Sequence, residues 1–218
     1  MTSVDLMVEP VESAPFAQNA YVVWAMGGRE ALVIDPGFDT ESILAILDRH
    51  GLTPVAILDT HGHADHIAGN AAMKASYPRA PLLIGRNEAH LLGDPSANLS
   101  ASFGLPLTSP PADRLLDHGE RVELAGLAFE VREIPGHSPG SVVFVFDGAD
   151  PPVVLGGDVL FAGSIGRTDL GGDFPQLASG IRSKLYTLPD ATVIWPGHGP
   201  STTVGVERRN NPFVRDQP

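Results

Sequence analysis

Residues 58–70 read LDTHGHADHIAGN and place His61, His63, Asp65 and His66 within six positions. Imidazole and carboxylate together form a donor set suited to zinc, iron or manganese. In extended chain, residues i and i+2 point the same way, so His61 and His63 can share one cation. Asp65 and His66 fall where the chain turns into a helix and can face a second position beside the first. Three imidazoles this close repel one another when protonated and need partners when neutral. A metal answers both demands.

The same kinds of residue recur at the same kind of place. Apolar runs end in short turns that deliver His137 after FEVREIPG, Asp158 after VVLGG and His198 after VIWPG. Strands laid side by side with aligned ends would carry these tips to one rim, although they are far apart along the chain. His137, Asp158 and His198 are therefore expected to complete the ligand set. Asp158, with two carboxylate oxygens, can bridge two ions about 3.5–4 Å apart. His50, His90 and His118 have no second donor at useful spacing and read as ordinary hydrogen-bonded residues.

The elements that must position these residues follow from periodicity. Strands are expected at 4–12, 20–26 and 30–37, with Gly27-Gly28 turning between the last two. Residues 40–51 carry Ile43, Leu44, Ile46 and Leu47 on one helical stripe, with Asp39 or Thr40 as N-cap and Gly51 as the stop. A strand at 54–60 leads into the histidine motif, and a helix is expected from His66 to Tyr77, closed by Pro78. A strand at 80–85 and a short helix at 87–93 follow. Residues 94–113 show no period and read as a long surface loop, either closing over substrate or joining two copies. The second half predicts a hairpin over 121–136, strands at 141–148, 151–158 and 191–197, a helix near 174–188 and a capping helix in the tail. Eight to ten strands and four or five helices in mixed order favour a two-sheet core with helices outside over a parallel βαβ array.

The 218 residues, 43% of them hydrophobic, suffice for one core, so a single domain spanning 1–218 is expected. A net charge of -12 and only two lysines, Lys74 and Lys184, argue against a nucleic-acid partner. No cysteine is present, so any metal must sit on His, Asp, Glu or water. No basic segment leads into an apolar one near the start, and no apolar run approaches the roughly 18 residues that span a bilayer. The expectation is a cytoplasmic enzyme, monomeric or homodimeric, acting on a small molecule away from membranes.

H-x-H-x-D-H at 61–66, PGHSPGS around His137, GGDVLF around Asp158 and PGHG around His198 together resemble the metallo-β-lactamase-fold hydrolases, in order and over most of the chain. The resemblance implies an α/β (α+β) fold, a four-layer αββα sandwich of two mixed sheets with metals at one edge. It implies two divalent ions, zinc first with iron or manganese as alternatives. His61, His63 and His137 would form one site, Asp65, His66 and His198 the other, with Asp158 between them. It also gives Asp35, in VIDPG, the task of orienting a ligand histidine; the plainer reading is a turn residue before Pro36.

The implied chemistry is hydrolysis by a water whose pKa the metals lower, with Asp65 as the catalytic carboxylate that orients it. Segments 158–173 and 197–213 are most similar to glyoxalase II-like proteins, the hydroxyacylglutathione hydrolases, especially short bacterial ones, which implies a thioester substrate. Arg167 matches a basic residue that meets a glutathione carboxylate in that family, and the alternative for it is an ion pair with Asp169. Arg208 and Arg209 are weaker candidates for substrate contact. Asp169 and Pro200 replace tyrosines that contact glutathione, and the chain ends before the family's helical C-terminal domain. GRTD and THGHADH also resemble persulfide dioxygenases, where one iron would use His61, His137 and Asp158. Hydrolysis of another small ester or lactone is a further alternative. A metal-stabilised binding module is disfavoured by seven candidate ligands, and a β-lactamase by the lack of a secretion signal.

Overall fold

A computed structural model of the protein describes residues 5–215. The first sheet runs in the order β1 (Leu6–Ser13), β2 (Gln18–Ala25), β3 (Glu30–Ile34), β4 (Thr53–Asp59), β5 (Leu82–Gly85) and β6 (Arg114–Leu116). Its first three strands are antiparallel and the rest parallel. The second sheet contains β7 (Arg121–Leu124), β8 (Leu127–Glu133), β9 (Val142–Phe146), β10 (Val153–Gly157), β13 (Val193–Pro196) and β14 (Thr202–Thr203). Here β10 and β13 are the parallel pair. A small hairpin, β11 (Leu160–Phe161) with β12 (Ser164–Ile165), stands beside it.

Side-chain alternation makes the layers. On β2, Tyr21 and Val23 face the second sheet, while Val22 and Trp24 face the opposite way. On β9, Phe144 and Phe146 point inward and Val143 and Val145 outward. Both faces of both sheets are therefore apolar, which is why these strands read as nearly continuous hydrophobic runs. Helix α1 (Thr40–His50) covers the first sheet through Ile43, Ile46 and Leu47, with α2 (Ala64–Ile67) and α3 (Asn70–Ser76) completing that layer. Helix α4 (Phe174–Gly180), its π-helical extension Ile181–Leu185 and α5 (Val204–Asn210) cover the second sheet. Each fully buried Leu, Ile or Phe in these layers contributes about 1.5–3 kcal/mol. The result is the expected αββα sandwich.

Local signals behave as their chemistry requires. Asp39 caps α1 by accepting from the Ser42 amide, and Gly51 ends it in the left-handed conformation. The expected helix 66–77 is two helices, α2 and α3. Gly69 interrupts it by donating its N–H to the Pro36 carbonyl, which anchors the chain to the turn after β3. Residues Arg86–Gly93 form a 3₁₀ helix rather than an α-helix, and the helix expected to 188 ends its regular winding at Leu185. Fourteen strands occur among the described residues, more than expected, because pieces as short as β6, β11, β12 and β14 are too brief to show a period. The expected first strand includes Val4, which lies outside the described residues. No helix among them is long and apolar enough to cross a membrane.

At one edge the sheets are tied directly. Tyr21 donates its hydroxyl to the Pro196 carbonyl at 2.6 Å, the Asn19 amide donates to Gly197 at 2.7 Å, and Val142 donates to Thr60 at 2.8 Å. The strand ends that carry the conspicuous polar residues meet here.

Candidate metal centre

His61 and His63 leave the end of β4, Asp65 and His66 lie on α2, His137 follows β8, Asp158 follows β10 and His198 follows β13. The structure brings all seven together. The ring nitrogens of His61, His63 and His137 lie within 4.8 Å of one another, as do the donor atoms of Asp65, His66 and His198. Asp158 sits between the groups, with carboxylate oxygens 3.3 Å from His66 Nε2, 3.5 Å from His137 Nε2 and 3.5 Å from His198 Nε2. His50, His90 and His118 lie elsewhere; His50 meets Glu9, and His118 accepts from the Glu133 amide.

Neighbours fix the ring orientations. Asp35 stands in a positive-φ turn after β3, where it accepts from the Thr60 amide and hydroxyl at 2.6 Å each and lies 3.0 Å from His66 Nδ1. Protonation of His66 at Nδ1 then leaves its Nε2 lone pair facing Asp158 and Asp65. A carboxylate oxygen of Asp35 also lies within 4.8 Å of the donor nitrogens of His61 and His66. His137 Nδ1 lies 2.8 Å from the Arg167 carbonyl, which likewise frees His137 Nε2 for the centre.

Electrostatics divide the groups. Burial and the surrounding imidazoles push His61 well below the ordinary histidine value, and burial with His137 takes His63 down to about 3. Burial would also depress His66, but Asp158 and Asp65 outweigh it and hold His66 well above the ordinary value. Asp158, despite a burial effect in the other direction, is kept well below the usual carboxylate range by His66, His137 and His198.

A divalent cation fits this donor set. His61 Nε2, His66 Nε2 and Asp158 Oδ1 are buried with no hydrogen-bond partner among the described residues, and His63 Nδ1 lies 2.9 Å from His137 Nε2. Buried nitrogens and oxygens seldom stay unsatisfied. Lone pairs converging from six imidazole and carboxylate groups beside a shared carboxylate are the composition of a binuclear centre.

The centre opens into a pocket of about 170 Å³ walled by Phe16, Leu99, Phe103 and Leu170. The segment expected to be a surface loop supplies Asn98, Leu99 and Phe103 to it. Asn98 is fully buried and pins the loop by donating its side-chain amide to the Leu91 and Leu107 carbonyls, while its backbone carbonyl accepts from the Ala64 amide, between His63 and Asp65. Arg167 reaches the pocket, but its guanidinium grips Asp169 through two 2.7 Å hydrogen bonds. Arg208 and Arg209 pair with Asp190 and do not line the pocket. Sequence reasoning missed Phe16, Asn98 and Phe103 because they stand in stretches without a period, where only the Gly/Pro/Ser-rich composition signals a loop.

Residues 13–198 match the Metallo-beta-lactamase superfamily. The hydroxyacylglutathione hydrolase GloC of Haemophilus influenzae is 36% identical over 214 residues, 96% of this chain and 99% of that one. Among solved structures, the BLEG-1 B3 metallo-beta-lactamase is 41% identical with a TM-score of 0.90, covering 96% of this chain and 100% of the other. TTHA1623 in a di-iron-bound form is 38% identical with a TM-score of 0.82, covering 95% and 100%. With the αββα layers, the seven-residue rim and this match over most of its length, the chain belongs to the metallo-β-lactamase superfamily.

Proposed function

We propose that residues 1–218 form one hydrolase domain that cleaves a small acyl thioester, with an S-hydroxyacylglutathione as the first substrate to test. The observation that carries this reading is the convergence of His66, His137 and His198 on Asp158 within 3.5 Å, beside an open pocket. In this reading His61, His63 and His137 hold one divalent ion, Asp65, His66 and His198 hold another, and Asp158 is shared. Bound there, two such ions supply Lewis acidity that brings a water's pKa toward neutrality and polarises a carbonyl. Zinc is the first choice for an all-nitrogen and oxygen set, and the di-iron form of TTHA1623 makes iron the second.

The chain's own groups do the rest. Asp65 faces the pocket, its side chain 18% exposed, and orients the attacking water by accepting its hydrogen bond. The Asp35 carboxylate holds the proton of His66 Nδ1, and the Arg167 carbonyl holds that of His137 Nδ1, so neither ring turns as charge develops. Phe16, Leu99 and Phe103 exclude bulk water and pack the acyl and sulfur portions of the substrate. The Arg167 guanidinium, by exchanging Asp169 for a substrate carboxylate, would anchor the far end.

The identity with GloC supports the thioester; the identity with BLEG-1 supports a β-lactam as a second substrate class. Mononuclear iron chemistry on His61, His137 and Asp158 would leave the Asp65, His66 and His198 group without a purpose. The test is metal analysis of protein purified without added metal, with parallel assays of thiol release from S-lactoylglutathione, nitrocefin opening and oxygen uptake with glutathione persulfide. Two ions per chain with thiol release is expected. One iron with oxygen uptake overturns the hydrolase reading, and nitrocefin opening without thiol release overturns the thioester.

A further inference from the structure

Glu88 lies in the 3₁₀ turn Arg86–Gly93, just beyond β5, and its side chain is fully buried. It forms no ion pair with any described Lys or Arg, and the groups it meets are hydrogen-bond donors from two other loops. Oε2 accepts from the Gly62 amide at 2.8 Å, and Oε1 accepts from the Ser138 hydroxyl at 2.8 Å and the Gly140 amide at 2.5 Å. Gly62 stands between His61 and His63, and Ser138 follows His137. One carboxylate thus joins the two loops that supply all three histidines of one group.

The backbones are seated against the same turn. A Cβ on Gly62 would lie 2.5 Å from Leu91 Cβ, and one on Gly140 would lie 2.4 Å from Asn87 Cβ. Neither position has room for a side chain, and the distant carboxylate reaches in to meet their backbone N–H groups. Burying an ionised carboxylate is costly unless its oxygens are well supplied with donors, and here three donors meet two oxygens.

We propose that Glu88 is a positioning residue that fixes the His61, His63 and His137 loops in ligand geometry before any ion arrives. This rests on the ligand reading given under Proposed function. Only a carboxylate meets the demand. A glutamine offers one acceptor oxygen, and with that oxygen serving Ser138 and Gly140, its amide nitrogen would face the Gly62 N–H, donor against donor. The arrangement thus assigns the loop of His61 and His63 as the part that loosens first.

The experiment compares wild type with Glu88→Gln, using amide hydrogen exchange of the metal-free proteins and Zn²⁺ affinity by competition with a chromophoric chelator. In metal-free wild type, the Gly62 and Gly140 amides are expected to exchange far more slowly than an unstructured chain. In folded Glu88→Gln, Gly62 protection is expected to fall at least about tenfold and zinc affinity about 10- to 100-fold, the range for groups that orient metal ligands. Either quantity staying within about threefold of wild type in the folded variant overturns the proposal. Should the variant not fold, the wild-type measurement decides: protected Gly62 and Gly140 amides support it, and amides exchanging at solvent rates sink it. Failure of wild type to bind zinc at all would instead strike the ligand reading, and the exchange data would still report on how Glu88 holds the loops.

Discussion

On one side of Asp158, His61, His63 and His137 face one another; on the other, His66 and His198 sit against Asp65, and His66 is also backed by Asp35. The same side chain therefore finds opposite surroundings a few ångströms apart. His63 is driven down to about 3 by burial and His137, whereas Asp158 and Asp65 outweigh burial at His66 and raise it. The all-histidine group has no carboxylate among its own three members and takes negative charge from Asp158, with a smaller contribution from Asp65 at His63. The mixed side carries its own charge. What separates the two groups is how negative charge is supplied to them, and Asp158 contacts both.

The largest effect should come from removing that shared group. Asp158→Ala is expected to lower kcat/KM by at least about 10³-fold and to leave less than one tightly bound ion per chain, read by elemental analysis after desalting. Retention of two ions would mean that the sides are independent, and the contrast drawn between them would lose its hinge. Asp65→Ala comes next. It should reduce kcat about 10²- to 10³-fold and take the metal ratio from two toward one, since the His61, His63 and His137 group is left intact. Near-normal turnover would remove Asp65 from the water-orienting role, and loss of both ions would show that the all-histidine side cannot load alone.

Asp35→Asn acts one layer further out. A single amide oxygen replaces two carboxylate oxygens that serve three contacts, to the Thr60 amide, the Thr60 hydroxyl and His66 Nδ1. A loss of about 10- to 100-fold in activity or affinity is expected, falling on the ion of the mixed side before the other. Chelator competition that releases the two ions in separable steps would report this directly, and equal weakening of both steps would contradict it.

The seven rim residues were legible because each stands at the end of an apolar run, and strands deliver their ends together. His61, His63, Asp65 and His66 also share a motif whose spacing speaks for itself. Glu88 had no such signal. It lies 26 positions from Gly62 and 52 from Gly140; the parallel pairing of β4 with β5 sets its turn beside the histidine loop, and the Val142 to Thr60 hydrogen bond between the sheets brings Gly140 to the same place. The four layers were readable from alternating apolar faces, but the split of the helix at Gly69 depended on a long-range hydrogen bond to Pro36 that no local pattern encodes. Asn98 escaped for a related reason: its side chain organises a loop by binding two carbonyls, and loop composition alone does not distinguish such an anchor from solvent-exposed asparagine.

The smallest effect separates the two kinds of contribution made by Arg167, one through its backbone and one through its side chain. Its carbonyl orients His137, and that carbonyl survives any side-chain replacement; its guanidinium is exposed and paired with Asp169. An ion pair this exposed adds little to stability, so Arg167→Ala should leave stability and metal content close to wild type. If the guanidinium meets a substrate carboxylate, KM for S-lactoylglutathione should rise several-fold while kcat changes little, the signature of binding shared by ground and transition states. The same variant assayed on a neutral thioester should show no such rise. Equal kinetics on both substrates would confine Arg167 to its carbonyl and its surface pair, and would move the search for specificity to the apolar wall of Phe16, Leu99 and Phe103.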